Sequence, residues 1–393
     1  MSKKLDIIKS VNEIIIDKLR CWLEINLSFL KNNIEKIKSN ISKNSDIIAI
    51  LNANGFGFGA LYISKYLSSI GIKFFAVATL KEALYLRKSG LSEGEILILS
   101  WTPICEKETL IKYNLTQTLI DYEYAKKLNN LPNIVKCHIK IETGMNRFGI
   151  KKLEEIINCY KFKNLKINGI FSELCRVRDF KEEADKYTKM QINTFNYVLN
   201  ELKKKGIDLG LSHLMNSIGI LRFKENNYDL VRVGFLMYGI NPDPNNMEID
   251  RLLKENNLKP IASLKCKIMT IKDIEKGQKV GYNGKYSSIH NEKIATISIG
   301  YADGLSFASS KNGFKVFVKN NLFPIIGNIC MDTTIIKISL CSNIKENDVV
   351  LLFGYSEDGK EYLNFKEFID KSGSTIGEAL SRLGQRITKI YHY

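Results

Sequence analysis

The stretch IIAILNANGFGFGALYISKYLSSIGIKFFAVA, residues 47–78, opens on one short apolar run, Ile47–Leu51, and closes on another, Phe74–Ala78. Both runs are too short for helices and nearly continuous in apolar residues, which is how strands buried on both faces of a parallel sheet read. Six more runs of this kind follow at Ile96–Ser100, Gln117–Ile120, Val135–Ile141, Ile167–Phe171, Gly210–His213 and Leu230–Phe235. Amphipathic segments of helical period lie between or before them. Leu27–Ile41 sets Leu30, Ile34 and Ile37 on one face, Ala83–Leu86 follows an acidic first turn, and Asp179–Lys203 reads as one long helix. Eight strand-like runs between Trp22 and Phe235 match the size of a (β/α)₈ barrel of the TIM type. A doubly wound sheet would show fewer strands, about five or six.

The texture changes after residue 255. Leu264–Ile271, Lys293–Ile299, Lys315–Lys319, Leu322–Ile329, Thr333–Ile338 and Asp348–Phe353 alternate or are β-branched, with glycine and asparagine between them. This predicts a mostly antiparallel β domain, closed by a final helix over 375–388. The expected division is an N-terminal extension at 1–20, a barrel over 21–250 and a β domain over 251–393, with the boundary in the polar stretch 241–257 that carries Pro242 and Pro244.

A chain of 393 residues suggests two or three domains. With 45% hydrophobic residues it is not a disordered chain, and no run approaches the length of a membrane span. The formal charge of +16 could attract anions, but the lysines are spread along the chain without a long block, which argues against nucleic acid as partner. Cysteines at 21, 105, 137, 159, 175, 266, 330 and 341 form no CxxC pair, and the N-terminus is interrupted by charges where a signal peptide would be apolar. Reduced thiols in a cytoplasmic protein are therefore expected. Histidines at 138, 213, 290 and 392 have no metal-ligand spacing, so no metal is expected.

The motifs are IIAILNANGFGFGA (47–60), IKIETGMNRFGI (139–150), SHLMNSIGI (212–220), VRVGFLMYGINP (231–242), VGYNGKY (280–286), ATISIGYADGL (295–305) and IIGNICMDTT (325–334). In this order, over about residues 21–391, the set resembles the alanine racemase family of pyridoxal phosphate enzymes. Larger pyridoxal phosphate decarboxylases share the architecture, but GYADG and NICMD favour the racemase branch. The resemblance implies a barrel followed by a β domain, an amino acid as small-molecule ligand, interconversion of its L and D forms, and a dimer, either of this chain or with a racemase. It also implies residue roles. Tyr282 falls on the base supplied by the partner's β domain, Arg232 on the arginine at the pyridine nitrogen, and Arg147 on the arginine at the substrate carboxylate. Lys140 falls on a lysine that many members carbamylate to position that arginine. His213, Asn216, Ser217, Gly234 and Phe235 fall on the cofactor-binding set, and Tyr301 and Met331 on residues lining the site from the other subunit. Arg232 is also singled out by its context, since a charge inside LVRVGF is costly unless paired.

The departures from the family pattern fall on the chemistry. The lysine that holds the cofactor as an imine is Asn52, and the nearest lysines are Lys43 and Lys65. Asparagine neither forms an imine nor acts as a base near neutral pH. One phosphate-binding tyrosine is Phe56, the other is Gly377, and the histidine that stacks on the cofactor ring is Glu173. The expectation is therefore a racemase-like protein that does not hold pyridoxal phosphate as a lysine imine and does not racemise by the family route. The alternatives are a catalytically inert member partnering an active racemase, and a repurposed barrel enzyme with new chemistry.

Overall fold

The computed structural model describes residues 16–226, 228–338 and 343–393. Cys341 and most of the expected N-terminal extension lie outside the described residues. The chain divides into two compact units. One comprises residues 30–241 and 246–259, the other 1–29, 242–245 and 260–393.

The first described strand, β1 (Cys21–Asn26), belongs to the second unit, and eight strands form the first. These are β2 (Asp46–Ile50), β3 (Phe74–Val77), β4 (Glu95–Ile98), β5 (Leu115–Leu119), β6 (Val135–Lys140), β7 (Leu165–Phe171), β8 (Leu211–His213) and β9 (Leu230–Val233). Each pairs in parallel with the next, and β2 pairs with β9 through Ile48↔Arg232, which closes the barrel. All eight expected strands are present; β3 (FFAV), β4 (EILI) and β9 (LVRV) are written mainly in apolar residues, whereas β5 (LTQTL) and β6 (VKCHIK) bury polar groups as well. Alternation sends Ile48, Ala76, Leu97 and Leu230 into one cluster. Two steps along β9 from Leu230, on the same face, is Arg232. The long helix is Glu182–Lys204, with Ala184, Ile192, Phe195, Val198 and Leu202 buried on one stripe.

The second unit carries a mixed, mostly antiparallel sheet. Its strands are β10 (Ala262–Ile274), β11 (Lys279–Val280), β12 (Tyr286–Ser287), β13 (Glu292–Ile297), β14 (Lys315–Val318), β15 (Asn321–Ile326), β16 (Thr334–Lys337), β17 (Val349–Tyr355), β18 (Tyr362–Leu363) and β19 (Thr388–His392). The order of the main sheet is β18-β17-β14-β15-β16-β13-β10-β1-β19, and β11 pairs with β12 apart from it.

Three expectations about boundaries change. Strand β1 lies beside β10 and β19 in the sheet, with Trp22 opposite Lys265 and Thr388, and so is no part of the barrel. The segment 246–259 belongs to the barrel unit, where Met247–Glu255 is a helix capped by the Asn246 side chain. The closing helix spans only Ile376–Ser381, capped by Thr375, and the chain then extends as β19. The seven described cysteines are all free thiols. No described helix is long and apolar enough to cross a membrane.

Candidate functional site

The turn after β2 is the most unusual backbone in the barrel unit. Ala53, Asn54, Gly55, Phe56 and Gly57 have φ of 53°, 56°, 65°, 57° and 84°, a full left-handed turn. An L-residue pays about 1–2 kcal/mol for that conformation, so Ala53 and Phe56 are strained. The surroundings hold the turn in place. Glu82 accepts a 2.6 Å hydrogen bond from the Ala53 amide, and its other oxygen accepts from the amides of Ala78 and Thr79 at 3.0 Å each. Asn54 accepts from the Ala60 amide at 3.0 Å. Gly55 sits where a methyl group would meet the Ala60 backbone nitrogen at 3.2 Å and the Tyr238 hydroxyl at 3.3 Å. Asn52 opens this turn, and its side-chain oxygen is buried without a hydrogen-bond partner. Strain of this kind, with an orphaned acceptor beside it, belongs to ligand sites more often than to plain loops.

The turn lies next to the end of β9. The Phe56 ring packs on Phe235, centroids 4.6 Å apart, and a methyl group on Gly234 would meet it at 3.2 Å. Ser217 accepts a 3.0 Å hydrogen bond from the Gly234 amide, and Asn216 caps the short helix Ser217–Arg222 by accepting from the Gly219 amide at 3.1 Å. Ser217, Gly234 and Phe235 thus sit together, with the Gly234 amide already taken up by the Ser217 oxygen.

Arg232 is buried, and both its terminal nitrogens are engaged. One terminal nitrogen donates to His213 Nδ1 at 2.9 Å and to the His213 carbonyl at 3.2 Å. The other donates to the carbonyls of Ser172 (2.7 Å) and Leu214 (3.0 Å) and to Glu173 Oε2 (3.2 Å). Glu173 also accepts from Asn216 at 3.0 Å. Burial pushes the Glu173 carboxyl up, but Arg232 above all, with Asn216 and Lys140, outweighs it and holds the group below the ordinary carboxylate value.

A line of contacts runs from this pair into the barrel. Arg232 can only donate, so His213 Nδ1 accepts and its proton lies on Nε2. His213 Nε2 is 2.9 Å from His138 Nδ1, which must accept in turn. His138 Nε2 then points its proton toward Glu95 Oε1, 3.2 Å away with poor alignment. His213 is neutral in this arrangement. Burial above all, with the Arg232 charge, pushes His213 well below its usual value, in agreement with a neutral ring. Gly169 makes room for His138, whose ring atoms would lie 2.5 Å from any added methyl group.

Lys140 ends β6 and is 3% exposed. It makes no hydrogen bond or ion pair with a described residue, and its Nζ lies 5.4 Å from the centroid of the Phe171 ring. Burial lowers its pKa to about 8, against the pull of Glu173 and with the push of Arg232 and Arg147. Arg147 follows in the loop after β6 and is exposed. Its neighbour Glu142 bonds the backbone amides of Gly144 and Asn146, the latter at 2.9 Å.

The other three expected residues lie in the sheet unit and share one surface there. The Tyr301 amide donates to the Cys330 carbonyl and the Ala302 amide to the Met331 carbonyl, both at 3.0 Å. Asn328 donates to the Tyr282 carbonyl at 3.3 Å. Tyr282 is 72% exposed, and Met331 and Tyr301 are about half exposed. The two motifs are interlocked: a methyl group on Gly300 would meet the Met331 oxygen at 2.3 Å. Asp303 is fully buried, accepts from the Gly300 amide at 3.0 Å, and pairs with Arg20 and with Arg386 (3.4 Å). Gly377 lies on the helix Ile376–Ser381 of this unit.

Sequence reasoning missed Glu82 and His138. Glu82 had a signal, since Thr79-Leu-Lys-Glu82 is a capping box, and both halves of the box form. His138 had none, because its partner in space is another strand.

The comparisons with known proteins agree with this architecture. The family model described as alanine racemase, N-terminal domain, matches residues 25–242, and that for alanine racemase, C-terminal domain, matches residues 261–391. An alanine racemase of Clostridium tetani is 36% identical over 94% of this chain and 95% of its own length. An amino-acid racemase of Enterococcus faecalis is also 36% identical over 94% of this chain, which spans about half (51%) of that longer protein. Among solved structures, an alanine racemase of Clostridium difficile in complex with cycloserine superposes with a TM-score of 0.85 at 30% identity, over 95% of this chain and 96% of that one. A histidine racemase of Leuconostoc mesenteroides shares the fold, with a TM-score of 0.83 at 23% identity. Two family models that together span most of the chain, and relatives matched over nearly their full length, show that this chain belongs to the alanine racemase family.

Proposed function

We propose that this protein binds a small anionic ligand at the mouth of the barrel and does not interconvert L- and D-alanine by the family route. The observation that carries this reading is Asn52. It stands where the family has its imine lysine, at the start of a strained turn, with a buried oxygen that has no partner. The backbone of the site is strained, and the amine that the family chemistry needs is absent from it.

Pyridoxal phosphate supplies an aldehyde that forms imines and a ring that accepts electrons from Cα. The fit of this site to that group is poor at three of four points. The Ser217 hydroxyl and the Phe235 amide offer neutral donors to a phosphate. Phe56 brings an apolar ring where the family offers a hydroxyl, Glu173 brings a carboxylate where the family stacks an imidazole, and Asn52 brings no amine. Arg232, the family's partner for the ring nitrogen, is already bonded to Glu173, His213 and three carbonyls. Two side chains at the mouth, Lys140 and Arg147, carry positive charge that no described carboxylate pairs with directly, so an anion is favoured there.

The exposed surface formed by Tyr282, Tyr301 and Met331 supports a second reading of assembly, in which the chain dimerises with itself or with a complete racemase and lends these residues to the partner. The deciding experiment mixes the purified protein with L-alanine and added pyridoxal phosphate and measures D-alanine, alone and with an active racemase. No D-alanine from the protein alone supports the proposal. Racemisation at a rate typical of enzymes, about 1 per second or faster, would overturn it.

A further inference from the structure

We propose that Cys21 and Cys266 are a redox pair, which a small disulfide oxidises to a cross-strand disulfide bond that clasps β1 to β10. The register of these strands is the first ground. They run antiparallel, and Cys21 stands directly opposite Cys266. Opposed residues alternate between hydrogen-bonded and non-hydrogen-bonded pairs, and the backbone bonds fix which form each takes. The Lys267 amide donates to the Arg20 carbonyl at 3.1 Å, and the Asn26 amide to the Ile261 carbonyl at 2.8 Å. Arg20 with Lys267 and Asn26 with Ile261 are thus hydrogen-bonded pairs, and both place Cys21 with Cys266 in the other form. There the Cα atoms lie about 4.5 Å apart and the side chains leave the same face at their closest. A disulfide needs Cα atoms about 4.4–6.8 Å apart, so the backbone has no need to move. Both thiols are free and buried. Among the described residues, no other two cysteines stand opposite each other in paired strands.

The place of the pair in the chain gives the bond its consequence. Strand β1 ends just before the barrel unit begins, and β10 starts just after that unit ends. Residues 30–241 and 246–259, the whole barrel unit, therefore lie between the two cysteines in sequence. The bond closes all of it into one loop, and a loop of that length strongly restricts the unfolded chain. Burial sets the conditions for closure. It pushes the Cys21 thiol up to about 11, with Asp303 adding to the effect, and the Cys266 thiol well above its ordinary value. The thiolate is the nucleophile, so the folded pair reacts slowly, and closure takes place as the chain refolds or when β1 lifts from β10.

The oxidant is a small disulfide. The Cys21 sulfur attacks one of its sulfurs, a mixed S–S bond forms, and the first small thiolate leaves. The Cys266 sulfur then attacks the Cys21 sulfur, the mixed bond breaks, and the second small thiolate leaves. The two protons of the protein thiols end on the two small thiolates. The sum is two protein thiols plus one small disulfide giving one protein disulfide plus two small thiols, with two electrons passing to the oxidant.

The test refolds the reduced full chain from urea in a glutathione redox buffer, blocks the remaining thiols with iodoacetamide and maps peptides without reduction. A peptide joining Cys21 to Cys266 is expected, roughly tenfold above any other cysteine pair, and dithiothreitol should remove it. The joined form should unfold at a higher urea concentration than the reduced form. Cys21→Ser should lose both the peptide and that difference. In the chain kept folded, closure should be slower than glutathione addition to the exposed Cys105. Alkylation of Cys21 and Cys266 in the oxidising buffer, or cross-links spread evenly over other pairs, would overturn the proposal. So would a joined form no more resistant to urea than the reduced one. The mapping is made on the unaltered chain, so the outcome does not depend on whether a variant folds.

Discussion

Replacing Lys140 by methionine should make the protein more stable at neutral pH. Lys140 is 3% exposed, and burial, helped by Arg232 and Arg147, brings its pKa to about 8 from 10.5. A shift of that size means that the charged form is disfavoured in the fold by about 3 kcal/mol. Methionine has a similar length and no charge, so it fills the same space without the penalty. The folded value lies below the unfolded one, so the penalty is fully present below pH 8 and fades as the pH rises toward 10.5. The variant should therefore gain about 2–3 kcal/mol at pH 7 and almost nothing near pH 10.5. Urea unfolding followed by circular dichroism at pH 7 and pH 10 measures both. A variant no more stable than the parent at pH 7 would refute the reasoning, because it would mean that the ammonium group is compensated in the fold.

Asn52→Lys alone should not restore alanine racemisation, because Phe56 and Gly377 withhold two hydroxyls worth about 1.5–3 kcal/mol each in charged hydrogen bonds. Activity of the single variant within tenfold of one also carrying Phe56→Tyr, Glu173→His and Gly377→Tyr would contradict this. Glu173→Gln should lower stability by about 2 kcal/mol at pH 7, since it leaves Arg232 buried without its counter-charge. The Glu173 carboxyl is held below its ordinary value, so the difference should be present above that value and vanish in acid as the parent is protonated, which denaturation across pH 3–7 would reveal. Gly300→Ala should cost about 3 kcal/mol or more, because its methyl group would lie 2.3 Å from the Met331 carbonyl oxygen, and backbone cannot give way cheaply.

The barrel was legible because parallel strands buried on both faces leave a local signature, and Phe74–Val77 or Glu95–Ile98 needs no partner to be recognised. Strand β1 was not, since what assigns it to the sheet is its pairing with β10 and β19, far away in the chain. The same holds for β19, where a helical start at Ile376 concealed the extended end. Within the site, Arg232 announced itself as a charge in an apolar run, and Asn52 as a departure inside a motif. The contacts between strands stayed hidden: nothing near Glu173 in sequence says that it neutralises Arg232, and nothing near His138 points to His213.

If Asn52 has replaced the amine that the family chemistry needs, Tyr282 is left without the opposing lysine, and inversion at Cα of alanine by the family route cannot be completed. Incubation of L-alanine with the protein and pyridoxal phosphate in D₂O, followed by proton NMR of the Cα signal, tests this most directly. Loss of the signal no faster than with pyridoxal phosphate alone is the predicted result. Protein-dependent loss of the signal, with D-alanine appearing alongside, would contradict it.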